Sequence, residues 1–114
     1  MARTHCLSIG GDLASSPDNQ TNEFLTTLTS EYTWIGGYRS PKGSNSFHWT
    51  DGSPWKFTDW ASGQPNNIGG DQNSVAINWA GLGKWDDEDG DDPEWASPYI
   101  CQMSTGMDKF PYCS

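Results

Sequence analysis

Hydrophobic positions in this chain come in short bursts between polar stretches, a pattern of small elements joined by long connections. Residues 2–8 read as the end of a helix, stopped at Gly10-Gly11 because glycine tolerates the left-handed conformation that closes helices. Leu13-Ala14 then enters the core. Ser16-Pro17 reads as a helix start, with Ser16 as N-cap and Pro17 at the first helical position, where no amide proton is needed. Asp18 falls in the first turn, where the helix dipole favours negative charge. Phe24, Leu25 and Leu28 give this helix one apolar face, and it is predicted to end near Ser30. Thr33-Trp34-Ile35-Gly36 reads as a short buried strand and residues 39–46 as a loop, from their Ser, Pro and Gly content. Phe47-His48-Trp49-Thr50 alternates as a strand does before Asp51-Gly52 turns the chain. His48 is an ordinary strand residue on this reading, since the only other histidine, His5, is remote.

From Trp55 to Lys84 periodicity is weak. Long irregular connections in a small domain are usually functional or disordered, and Trp55, Trp60, Trp79 and Trp85 argue for order. Within this region the β-branched run Val75-Ala76-Ile77 lies between two polar clusters, Gln64-Pro65-Asn66 and Asp86-Asp87, with Gln72 also between them. These clusters supply side-chain oxygens without positive charge, as a hard cation such as Ca²⁺ requires: about six to eight oxygens near 2.3–2.6 Å. Pro65 adds a device, because an X-Pro bond goes cis at modest cost. A cis bond there would turn Gln64 and Asn66 the same way.

Bulk properties narrow the classes. At 114 residues the chain holds one domain with a modest core. A net charge of −9 argues against nucleic acid, whose phosphates call for Lys and Arg. No apolar run reaches membrane-spanning length, so this segment is not expected to insert. Three cysteines allow at most one internal pair. Seven of the nine residues from Asp86 to Glu94 are acidic, which leaves eight acids against six bases elsewhere. Such a run is commonly a solvated loop. An EF-hand does not fit, because its first ligand would be Trp85 and no amphipathic helices flank it. A hydrolase would need carboxylates facing across a cleft. Here they crowd one loop, and no nucleophile or HExxH motif occurs.

Six stretches occur in order: Gly11-Asp12-Leu13-Ala14-Ser15, Trp34-Ile35-Gly36-Gly37, Trp49-Thr50-Asp51-Gly52-Ser53, Gly63-Gln64-Pro65-Asn66-Asn67, Lys84-Trp85-Asp86-Asp87 and Tyr99-Ile100-Cys101-Gln102. Together they resemble the C-type lectin-like domain, with its GGxLAS, WIGL, WxDGS, EPN/QPD, WND and ICE landmarks. The resemblance implies an α+β fold of short antiparallel sheets, two helices and a long loop region. It covers residues 1–102 as a domain lacking its N-terminal strand and most of its first helix, followed by a tail over 103–114. The chain is accordingly expected to be part of a longer secreted or surface protein, in an extracellular setting.

The same resemblance implies that Cys6 pairs with Cys101. A second family disulfide would fall on Ser74 and near Gly90, where no cysteine stands, and Cys113 has no family partner. Calcium ligands carried across residue by residue fall on Gln64, Asn66, Gln72, Asp86 and Asp87, and Gln64, Asn66, Gln72 and Asp86 would also bond a sugar's hydroxyls. The set departs from the pattern in charge: Gln64 and Gln72 are neutral where a carboxylate is frequent, and Asp86 is charged where Asn is usual. With a ligand charge of about −2 before Asp71 or Asp89 is counted, affinity is expected in the ~10⁻⁴–10⁻³ M range. The auxiliary calcium site of the family, which would fall around Ser40 to Ser44 and on Asn67, lacks carboxylates. The implied function is calcium-dependent binding of glycans, weak and broad across mannose-like and galactose-like types, with glycoproteins among the partners. The alternative is a protein-binding or adhesive module of the same fold. Asn19-Gln20-Thr21 also matches a glycosylation acceptor motif.

Overall fold

The computed structural model describes residues 2–70, 72–89, 98–103 and 112–113. Asp71, Gly90, Asp91, Asp92, Pro93 and Glu94 lie outside the described residues, and with them the outer part of the acidic run and one of the two additional carboxylates considered above. Helix α1, Ala2–Ser8, leads through Gly10, whose positive φ of 92° suits glycine, into strand β1, Gly11–Leu13. Helix α2 spans Asn19–Leu28, β2 Thr33–Arg39 and β3 Phe47–Trp49. The long connection that follows holds one 3-10 turn, Ile68–Gly70, before β4, Ser74–Ile77, and β5, Trp85–Glu88. The chain closes with β6, Cys101–Met103, and β7, Tyr112–Cys113. Among the described residues this is an α+β architecture with two α-helices.

Two antiparallel sheets form among the described residues. One has the order β1-β6-β7 and brings the two ends of the chain together, with Leu13 opposite Cys101; the Cys6–Cys101 disulfide crosses this junction. β7 pairs with β6 in that sheet, Cys113 standing opposite Cys101 in register. The other sheet, ordered β3-β2-β4-β5, carries the candidate site. Its β5 border is covered by the 59–61 segment: Trp60 forms a bridge with Trp85, and Ala61 N–H donates to Trp85 C=O at 2.9 Å. Gly37 is required where β2 crosses β4, because a Cβ there would lie 2.8 Å from Val75 Cγ2.

The core is aromatic. Trp49 and Trp85 are fully buried, and Trp55, Phe57 and Trp60 pack against them. The Trp85 ring meets Trp49, Trp60 and Phe57 edge-on, with centroids 5.4, 5.6 and 5.8 Å away, an arrangement that adds to simple area burial. Asn22 locks this cluster to α2. Its Oδ1 accepts from Trp85 Nε1 at 2.8 Å and from Ser16 Oγ at 2.9 Å, while its Nδ2 donates to Gly83 C=O and Asp59.

Three readings of local structure need correction. The cap of α2 is Asp18, whose carboxylate accepts from Thr21 N–H at 2.7 Å; Ser16 lies buried upstream with its hydroxyl spent on Asn22. The apolar face of α2 reduces to Leu25, since Phe24 and Leu28 are exposed at 37% and 45% and Asn22 takes the inward position. Strand β2 runs on to Arg39, which is buried and so is not a loop residue. It continues because each step is tied on both sides, Tyr38 opposite His48 and Arg39 opposite Phe47 on β3.

Candidate functional site

The site is built around β5. Successive side chains of a strand point to opposite faces, so Trp85 and Asp87 face the aromatic core side while Asp86 and Glu88 face the other. All four are buried. Adjacent carboxylates of the Lys84-Trp85-Asp86-Asp87 stretch therefore serve two different environments.

Asp87 is the hub of the inward side. Its carboxylate takes the Arg39 Nη2–H, the Asn66 N–H at 3.0 Å and the Asn67 N–H at 2.8 Å, so both oxygens are occupied. The Arg39 side chain is 1% exposed and that of Asp87 0%. Arg39 Nε donates to Gln72 C=O at 3.2 Å, and Nη1 donates to Ser44 C=O and to Asn45 Oδ1 at 3.3 Å. Its guanidinium also lies 4.6 Å from the centroid of the Phe47 ring. Charge, fork geometry and stacking are all used, which is what makes a buried arginine tolerable.

The loop from Gln64 to Gln72 is folded on itself above this pair. The Gln64–Pro65 bond is cis, and Asn67, Gly69 and Gly70 have positive φ. Asn67 Oδ1 accepts from Gln72 N–H at 3.0 Å, and Gln72 Oε1 accepts from Ile68 N–H at 2.9 Å. Asn66 Oδ1 receives a longer bond, 3.3 Å, from the same Ile68 N–H. Gln72 Nε2 reaches across to Glu88 at 3.1 Å. Gln64 Oε1 is buried and has no hydrogen-bond partner.

On the opposite face Asp86 accepts from the Tyr32 hydroxyl at 2.7 Å. Burial pushes its carboxyl up to about 7; the Tyr32 hydrogen bond works against this, and the charges of Glu88 and Asp87 add to it. Burial likewise raises Glu88 and, with Asp86 beside it, the Tyr32 hydroxyl.

The structure thus brings Asn66, Gln72 and Asp87 into one network with the Gln64–Gln72 loop, and sets Asp86 apart with Tyr32. For a calcium ion the donor set does not fit as it is arranged. Asp87 has both oxygens committed, Glu88 accepts from Gln72 Nε2, and the side-chain oxygens of the described loop residues Gln64, Asn66, Asn67 and Gln72 are neutral amides, two of which already accept from Ile68 N–H. Among the described residues no group of three or more His, Cys, Asp or Glu is placed to hold a metal. The sequence reading missed Arg39, Asn22 and Tyr32. No sequence signal marked Arg39, which stands 48 residues before Asp87 and outside every motif.

Comparison with known proteins agrees with this architecture. The Lectin C-type domain family model matches residues 1–103. A lectin of Pleurodeles waltl is 37% identical over 102 residues, 84% of this chain and 57% of that protein. The chain spans about half the length of the curated relatives it matches. The cow C-type carbohydrate-recognition domain of CD23, solved in the presence of a GlcNAc2Man3 oligosaccharide, superposes with a TM-score of 0.73 at 27% identity, covering 91% of this chain and 78% of that one. A calcium-independent type II antifreeze protein superposes with a TM-score of 0.69 at 28% identity, covering 76% and 65%. These are binding proteins, not enzymes, and the protein described here belongs to the C-type lectin domain family.

Proposed function

We propose that the domain is a carbohydrate-binding module whose binding surface is the Gln64–Gln72 loop and the adjoining end of β5. The observation that carries this reading is that the loop is held in one shape by Asp87 while it offers exposed Asn66 and half-buried Gln64 and Gln72. Side-chain amides both donate and accept, as sugar hydroxyls do, and a surface ordered beforehand spends little of its binding energy on ordering. Amides on both sides of Pro65 match neither a purely accepting nor a purely donating sugar edge. Ile68, at the loop tip, brings no aromatic ring to stack on a sugar. Binding is therefore weak and broad, with modest preference between mannose-like and galactose-like glycans, and glycoproteins are the natural carriers of such ligands. The related lectins, and the related domain solved with an oligosaccharide, support this reading.

Calcium dependence is a second, finer reading, favoured by the unpartnered Gln64 Oε1. If calcium binds, Gln64, Asn66 and Gln72 would supply oxygens, Asp87 would have to exchange Arg39 for the ion, and Asp86 would have to leave Tyr32 and turn from the opposite face. The disulfide Cys6–Cys101 supports an extracellular location, because such bonds persist in oxidising compartments. Among the described residues no helix is long and apolar enough to cross a membrane. A glycan array probed with calcium and again with chelator tests both readings. Weak binding to several glycans in both conditions supports the first; binding only with calcium supports the second. Absence of glycan binding in either condition overturns both and favours a protein-binding module.

A further inference from the structure

We infer that the Arg39 guanidinium serves as a built-in cation, holding the Gln64–Gln72 loop closed where a metal ion would otherwise be needed. Four oxygens from four residues converge on this single positive group: Ser44 C=O, Asn45 Oδ1, Gln72 C=O and Asp87 Oδ2. They come from three segments far apart in sequence, the 40s loop, the end of the ligand-bearing loop and β5. An all-oxygen shell with one carboxylate, gathered from separate loops around one charge, is the organisation of a calcium site. Here a side chain fills it.

The consequence for the loop is direct. Asp87 holds the loop by accepting from Asn66 N–H and Asn67 N–H, and Arg39 neutralises Asp87 in a place from which water is excluded. Without that charge the buried carboxylate would be uncompensated, a strongly destabilising state. Arg39 also fastens the end of the loop to β2: its own N–H donates to Asn73 C=O at 2.9 Å, and Nε to Gln72 C=O. Arg39 is a positioning residue for the surface named under Proposed function. The inference rests on that reading only in treating the loop as ligand-bearing, since loop closure is measured without any sugar.

The test compares the full chain with Arg39→Ala, Arg39→Lys and the Arg39→Ala/Asp87→Asn double variant. Each is examined for thermal unfolding and for hydrogen exchange of the Asn66 and Asn67 amides, in chelator and in 10 mM calcium chloride. The wild-type protein should show the same melting temperature and the same amide protection in both. Arg39→Ala in chelator should lose roughly 10–20 °C and expose both amides. It should then gain a calcium response that the wild type lacks, a rise of roughly 5 °C for a site in the millimolar range. The double variant, with no charge left to neutralise, should lack that response. If Arg39→Ala does not fold, Arg39→Lys carries the test, because it keeps the charge but loses the fork: it should fold with intermediate amide protection in both conditions. The inference is overturned if chelator loosens the two amides in the wild type, if Arg39→Ala folds without gaining a calcium response, or if Arg39→Lys matches wild-type protection. A failure of glycan binding in the array would leave these outcomes untouched.

Discussion

Replacing Asp86 by Asn should make the domain more stable at neutral and alkaline pH and leave it nearly unchanged near pH 4. The Asp86 carboxyl is buried, and its hydrogen-bond partner in the fold is the Tyr32 hydroxyl at 2.7 Å. Burial carries it from 3.8 to about 7. The sign follows from proton counting. Between these two pH values the unfolded chain has released a proton that the folded chain still holds, so stability falls as pH rises through that window. Below about pH 4 both states hold the proton and the full stability is present. The slope is about 1.4 kcal/mol per pH unit, and a shift of roughly three units sets a ceiling of about 4 kcal/mol. Relaxation around the ionising group, and an interior that responds with an effective dielectric constant nearer 20 than 4, reduce this to about 2 kcal/mol. Asn keeps an oxygen to accept from Tyr32 and cannot ionise. Urea unfolding followed by tryptophan fluorescence, repeated from pH 4 to 8, gives the difference between variant and wild type at each pH. Glu88 is raised by burial as well and contributes to both curves, so the difference isolates Asp86. A gap that opens with pH and reaches about 2 kcal/mol at pH 8 is expected; parallel profiles, or an Asn variant that is less stable at pH 8, would refute the reasoning.

Asn22→Ala should cost about 3 kcal/mol, because it strands the buried Trp85 Nε1–H and the Gly83 carbonyl while removing four side-chain bonds; denaturant midpoints measure it, and a loss below about 1 kcal/mol would mean that water replaces the amide. Joint replacement of Cys6 and Cys101 by Ser should cost about 4–5 kcal/mol, given that the bridge closes a loop across 95 residues of sequence. Non-reducing peptide mapping should find these two cysteines joined to each other, and a bond between Cys6 and Cys113 would contradict the β1–β6 junction.

Much of the fold was legible because its landmarks are local. Trp34-Ile35-Gly36-Gly37 needs small residues where β2 crosses β4, Trp49 and Trp85 fill the centre of the core, and both stretches announce this in a few residues. The Cys6–Cys101 bridge was expected from the same resemblance and is present. The helix α2 was harder. Ser16-Pro17 has the form of a start, but Asp18 is the better acceptor and Ser16 is claimed by Asn22, a partner six residues on. What holds the candidate site was not legible at all, because its central charge comes from Arg39, 48 residues before Asp87 and inside no motif. The pairing of Asp86 with Asp87 could have been doubted from the strand pleat alone, since neighbours on a strand cannot both face one point without a break in its geometry.

The covering of β5 by residues 59–61 has a consequence for how this domain meets other molecules. A sheet that ends in an unpaired strand presents a row of free N–H and C=O groups, and another chain can add to it as a further strand. Here Trp85 N–H donates to Asp59 C=O and Trp85 C=O accepts from Ala61 N–H, so the backbone beside the candidate site is already engaged. The opposite border is β3, only three residues long. Strand addition, with its tendency to run on into fibres, is opposed at Trp85, at the start of β5. Recognition there would pass through side chains, whose bonds are short-ranged and reversible.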